Sequence, residues 1–222
     1  MRPILTLVLK DVSIELRRKE SVAAMVMFSV LVMVIFNFAI ESARLDPALR
    51  QDLAPGILWV AVSLAGILGL NRSLAIDLDN DSLQGLLLAP LSRGSLYLAK
   101  VLSNFIFILV ADAVALVSVI VFYDLDPNLG LLWVAVIVVL GTFGFATVGT
   151  ILAMVSSQTR MSEVMLPVLL IPLTIPLIIS SVAATATALG AEGARPNLNL
   201  IVGFDIIFLV LSYLVFDYVV EE

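Results

Sequence analysis

Three aspartates alternate in the segment IDLDNDSLQGLLLAPLSRGSLYLAK at 76–100: Asp77, Asp79 and Asp81. Carboxylates at positions 1, 3 and 5 are how a calcium-binding EF-hand loop begins. The sixth position of such a loop must be glycine and the twelfth a bidentate glutamate, and here they are Ser82 and Leu88. Without the sharp turn and the paired oxygens, the loop cannot close around the ion. A second chemistry suits the segment better. Asp81 can accept a hydrogen bond from backbone N–H groups two or three residues on, and Gln84 stands where the partner of a capping box belongs. The aspartates also favour the positive end of a helix macrodipole. The pattern therefore predicts a short helix over 82–88, with Leu83, Leu86 and Leu87 on one side and Pro90 ending it. Arg93 and Gly94 then read as a connector, with Ser95 capping the next helix. Leucines on a short polar-flanked helix call for the interface or a partner's groove.

Other chemistries are narrowed by what the chain lacks. It contains no histidine and no cysteine. Ser-His-Asp catalysis, thiolate chemistry, disulfides and the usual histidine ligation of zinc or haem are all excluded. There is no Walker A sequence and no G-x-S-x-G elbow, so the chain is read as a non-enzyme that does not hydrolyse ATP itself. No tightly bound cofactor and no metal site are expected; a haem iron could be met only by methionine or tyrosine, such as Met154 or Tyr123. Two acids, Asp112 and Asp205, fall within apolar stretches. Each costs about 3 kcal/mol at the centre of a membrane helix, so both should face the interior of a bundle. They serve either as satisfied structural groups or as members of a substrate or proton pathway. Asp217, Asn37 and Asn104 lie nearer to span ends.

The elements that must position these residues are membrane helices. Of 222 residues, 61% are hydrophobic and 14% charged, with a mean hydropathy of +1.14. A soluble domain carries about 25% charged residues, and only lipid accepts such an apolar excess. The net charge of −6 argues against a nucleic-acid surface. Six stretches are long enough to span a bilayer, at 22–40, 55–74, 98–123, 129–155, 164–188 and 198–220. Nine Lys and Arg fall on one side (Arg2, Lys10, Arg17, Arg18, Lys19, Arg72, Arg93, Lys100, Arg160) and three on the other (Arg44, Arg50, Arg195), which puts both termini in the cytoplasm. Residues 3–20 are too charged for a signal peptide, and 1–21 read instead as a cytoplasmic interfacial helix. Leu5, Val8, Leu9, Val12 and Leu16 recur at helical spacing opposite Lys10, Ser13 and Arg17, as in a helix lying in the membrane interface. Residues 22–222 then form one membrane domain, with 75–97 as its cytoplasmic loop. The fifth span carries Pro167, Pro172 and Pro176, which predict a kinked or locally unwound helix packed against neighbours. Ala61, Ala65 and Gly69 in the second span, and Gly141, Gly144 and Gly149 in the fourth, allow close helix approach.

Two stretches, residues 54–104 (APGILWVAVSLAGILGLNRSLAIDLDNDSLQGLLLAPLSRGSLYLAKVLSN) and 169–181 (LLIPLTIPLIISS), strongly resemble the CcmB family, the B subunits of the haem exporter of cytochrome c maturation. The resemblance implies an all-α, six-span permease of the ABC-2 type in a bacterial cytoplasmic membrane. It implies an ATP-binding cassette partner (the A subunit) on the cytoplasmic face and two permease copies per complex. A haem-handling membrane subunit (C), a small subunit (D) and, indirectly, a periplasmic haem chaperone complete the expected partners. By position it makes Asp77, Asp79, Asp81, Ser82, Leu83, Leu86, Leu87, Pro90 and Arg93 the coupling element. Where the family commonly reads D-G-[ST]-L-E, this chain reads N-D-S-L-Q at 80–84, so Asp81 replaces a glycine and Gln84 a glutamate. ATP is met through the partner, and haem is transported or handled. The absence of histidine favours a division of labour in which this subunit transmits ATP-driven motion while a companion holds the haem.

Overall fold

The computed structural model describes residues 2–79, 93–125, 129–157, 162–190 and 196–219. They form seven helices: α1 (Arg2–Arg18), α2 (Glu20–Ser42), α3 (Pro47–Asp79), α4 (Arg93–Phe122), α5 (Leu129–Ser157), α6 (Ser162–Gly190) and α7 (Asn199–Val219). Six are long and apolar enough to cross a membrane, and α1 is the exception. The chain is an all-α multi-pass membrane protein.

The helices overrun the predicted spans where nothing stops them. Pro47 opens α3, a position where the missing N–H has no helical partner to lose. Pro55, taken from the sequence as the start of this span, lies inside the helix instead. At its other end α3 continues through Asp77 to Asp79. The two aspartates thus occupy a helix's last turn, at the negative end of its dipole, and not the start of a new helix as the pattern predicted. Adding one residue to an existing helix is far easier than nucleating another, and Leu74, Ala75, Ile76 and Leu78 contain no breaker. A continuous helix through Asp77 and Asp79 also leaves no calcium loop there. Asp81, Ser82, Leu83, Leu86, Leu87 and Pro90, with the predicted helix over 82–88, lie outside the described residues. Arg93 is the first residue of α4 and not part of a connector, so Ser95 falls within the first helical turn and is not its cap.

The proline-rich α6 is an unbroken helix, not an unwound one. Its inner strip is Leu166, Leu170, Thr174, Leu177, Ser181 and Thr185. Pro172 and Pro176 lie on the opposite, exposed face. There the ring costs no contact with a neighbouring helix.

Helix α1 runs into α2 through a sharp joint. Lys19 adopts the left-handed conformation with φ 56°. The Glu15 carboxylate then accepts from the N–H groups of Ser21 (2.9 Å) and Val22 (3.0 Å), capping α2 from the previous helix. Val8 is buried, while Leu5 and Leu9 remain exposed beside the exposed Lys10 and Arg17. An ion pair from Asp11 to Lys100 at 3.2 Å fixes α1 to α4.

In the bundle, α5 is the central element and packs against α3, α4, α6 and α7, while α2 covers α3 and α4. Most of the interior is one hydrophobic cluster. A smaller one, built on Leu96, Tyr97, Val101, Ile151, Met154 and Phe216, lies at the end occupied by α1. Close approach to α5 depends on its glycines. A Cβ on Gly141 would stand 2.2 Å from the Trp59 ring, and one on Gly149 would stand 2.2 Å from Leu70.

Because the Trp59 indole is rigid and buried, Gly141→Ala is expected to destabilise the bundle by about 1–3 kcal/mol. Gly203→Ala, where a Cβ would meet nothing within 4 Å, is expected to be neutral or to stabilise by up to ~1 kcal/mol. Melting curves in detergent distinguish the two; equal melting temperatures would contradict the packing described.

Candidate functional site

The polar groups of the interior gather on α5. Asp112 of α4 is completely buried, and Thr142 of α5 donates a 2.5 Å hydrogen bond to its Oδ2. Two residues along α5, Gly144 leaves the space that Asp205 of α7 fills: a Cβ there would stand 2.2 Å from Asp205 Oδ1. Asp205 is 6% exposed. Two residues turn a helix by about 200° and advance it by about 3 Å. The two acids therefore flank α5 on nearly opposite sides at nearly one depth, with the helix between them. Asp112 Oδ1 and both oxygens of Asp205 have no hydrogen-bond partner among the described residues.

The face bearing Gly141 and Gly144 carries a further link. Trp59 of α3 lies over Gly141 and donates from Nε1 to Thr185 Oγ1 of α6 at 3.0 Å. Ser181 stands beside the same glycine. One indole thus ties α3 to α6 across α5. On the α4 side, Asn104 donates to Thr150 Oγ1 at 3.0 Å, and Tyr97 donates to the Thr147 carbonyl at 3.0 Å. The hydroxyls of Thr142 and Thr150 and the carbonyl of Thr147 give α5 a polar edge toward α4.

The basic groups are at the ends of the bundle. Lys100 is held by Asp11 near α1. At the far end, Arg50 donates at 2.6 Å both to Asn37 Oδ1 and to the Phe122 carbonyl, closing the C-terminal end of α4, and stacks 5.7 Å from the centre of the Tyr123 ring. Tyr123 follows the far end of α4, while Met154 lies in the cluster at the α1 end. These two examples of residues that could meet a haem iron thus lie at opposite ends of the bundle.

The residues singled out from the sequence therefore separate into three places. Asp77 and Asp79 end α3, Arg93 begins α4, and Asp112 and Asp205 flank α5. Pro167 is partly buried in α6, and Pro172 and Pro176 face outward. Sequence reasoning missed Thr142, Trp59, Thr185, Thr150 and Glu15. Threonines within a glycine-rich span were the available signal for the first, since an acid inside a bundle needs donors from a closely packed neighbour. Asn104, set aside as a residue near a span end, is buried and paired. Chemically, the arrangement offers hydrogen bonds and close contacts that hold helices together, with no nucleophile set against a base among the described residues.

Asp112→Asn keeps an acceptor for Thr142, whereas Asp112→Leu removes it and leaves a buried hydroxyl to find another. Asp112→Leu is therefore expected to be less stable than Asp112→Asn by about 1–3 kcal/mol. Combining Thr142→Val with Asp112→Leu should cost less than the sum of the two changes. Equal melting temperatures for Asp112→Asn and Asp112→Leu, or strict additivity, would remove the pair's role.

The profile of the CcmB protein family matches residues 2–221. Among characterised proteins, the chain is 30% identical to heme exporter protein B of Haemophilus influenzae over 176 residues, covering 79% of this chain and 77% of that protein. It is 33% identical to heme exporter protein B of Paracoccus denitrificans over 151 residues, 67% of each chain. Against heme exporter protein B of Pseudomonas aeruginosa it is 27% identical over 186 residues, covering 82% and 80%. With a match along almost its whole length and six apolar helices in one bundle, the chain belongs to the CcmB family.

Proposed function

We propose that this chain is the non-catalytic membrane subunit of an ATP-driven complex that exports or hands on haem for cytochrome c biogenesis. The observation that carries the reading is the family match over residues 2–221, with relatives named heme exporter protein B. The chain has no Walker A sequence, so an ABC-type ATPase subunit must supply the hydrolysis. It has no histidine, so haem iron is held by a companion membrane subunit, assisted by a small one, before transfer to a periplasmic chaperone. In this reading the bundle is an ABC-2-type permease, present in two copies, in a bacterial cytoplasmic membrane. The positive-inside distribution supports two cytoplasmic termini and a cytoplasmic segment at 75–97.

The ATPase docks on that segment, through Leu83, Leu86 and Leu87, with Asp81, Ser82, Pro90 and Arg93 shaping it. Its flanks favour the role: α3 leads directly into the segment and α4 leads directly out of it. A push there would act on α3 and α4, two of the four helices packed on α5.

Leu86→Asp or Leu87→Asp places a carboxylate in the apolar contact. Each is expected to abolish co-purification of the ATPase while membrane insertion stays intact. Retained binding would sink the docking assignment. An ATPase that co-purifies without any haem-handling partner would favour a permease for a lipid or drug. Absence of an ATPase from the wild-type preparation would favour a membrane scaffold.

A further inference from the structure

The first turns of α4 are gripped by the last turns of α7. Gly94, the second residue of α4, is buried, and a Cβ on it would stand 2.4–2.6 Å from Cε2, Cζ and Oη of Tyr213. The absent side chain lets the tyrosine ring lie directly on the α4 backbone. One turn on, Tyr97 is fully buried, with its ring centre 5.3 Å from that of Phe216. The Tyr97 hydroxyl donates to the Thr147 carbonyl of α5 and is also hydrogen-bonded by Ser212 of α7. Tyr97 and Phe216 belong to the smaller hydrophobic cluster, and Gly94 and Tyr213 adjoin them. The α4 start is thus fastened to α7 at one end of the bundle by a compact unit of its own. Asp205, seated in the Gly144 slot, lies further along the same buried face of α7.

We propose that Gly94, Tyr97, Tyr213 and Phe216 form a clasp that transmits displacement of the α4 start into α7, and so to the Asp205–Gly144 contact in the interior. The inference rests on the reading of 75–97 as the segment where ATP-driven motion enters. A helix is stiff along its axis, so a shift of the first turn of α4 moves whatever is bound to that turn. Tyr97 and Phe216 have no room to slip, because both are fully buried. Tyr213 is half exposed, and its ring is the outer jaw of the clasp. These four act as positioning residues: they touch neither nucleotide nor substrate. Coupling through packed side chains needs an element whose equilibrium both sites bias, and α7 is that element here.

The chain has no cysteine, so a single Ile206→Cys change, at an exposed α7 position next to Asp205, gives one site for a spin label. In the complete complex with its ATPase, in nanodiscs, ATP is expected to change the label's mobility. Tyr213→Ala should abolish that change while the ATPase stays bound and continues to hydrolyse ATP. Tyr213→Phe, which keeps the ring, should preserve it. A merely structural role would lower the melting temperature without uncoupling the label from hydrolysis. A full label response in Tyr213→Ala with the ATPase bound overturns the clasp alone. Failure of the wild-type chain to bind any ATPase overturns the functional reading and the clasp with it.

Discussion

How closely other helices can approach α5 decides the rest of this bundle. Lipid offers no hydrophobic drive to bring membrane helices together, so packing and internal hydrogen bonds must do it. Gly141 admits the Trp59 ring, Gly144 admits Asp205, and Gly149 admits Leu70. Two helices reach α5 through these slots: α3 at two levels and α7 at a third. Threonines beside the glycines, Thr142 and Thr150, supply the hydrogen bonds that such approach makes reachable, to Asp112 and from Asn104. A larger residue at any slot would separate not one pair of side chains but two backbones.

The same closeness explains how two acids can be accommodated inside an apolar bundle. Asp112 has a hydroxyl donor because α5 comes near enough to α4 to provide it. Asp205 is seated against bare backbone. Neither is neutralised by the described ion pair of Lys100, which lies at the α1 end, or by the Arg50 contacts, which close the other. The polarity of the middle is therefore held separately from the charge at the ends. A hydrogen bond between a hydroxyl and a carboxylate can be exchanged more readily than a buried ion pair can be pulled apart.

Much of the fold was legible because apolar length is a strong signal. The six spans, the all-α class and the family could be read from residues 22–220 and from the two motif stretches. What failed was local. Asp77 and Asp79 looked like a helix start because alternating acids suit one, but α3 had already been propagating for 30 residues before it reached them. Cooperativity outweighed the dipole. The Glu15 cap was hidden for a different reason: its partners lie across the Lys19 turn, in the next helix, and an acid on an interfacial helix reads as solvated. Trp59 and Thr185 are 126 residues apart in the chain. Nothing in either span alone marks them as partners.

In the proposed complex, energy input, hydrolysis and haem iron belong to three different chains. Reconstitution of this chain with its ATPase alone in haem-loaded liposomes tests that division most directly. ATP should be hydrolysed without haem crossing the membrane, and transfer of haem should begin only when the companion haem-binding subunit is added. ATP-dependent movement of haem by the pair alone would contradict the account.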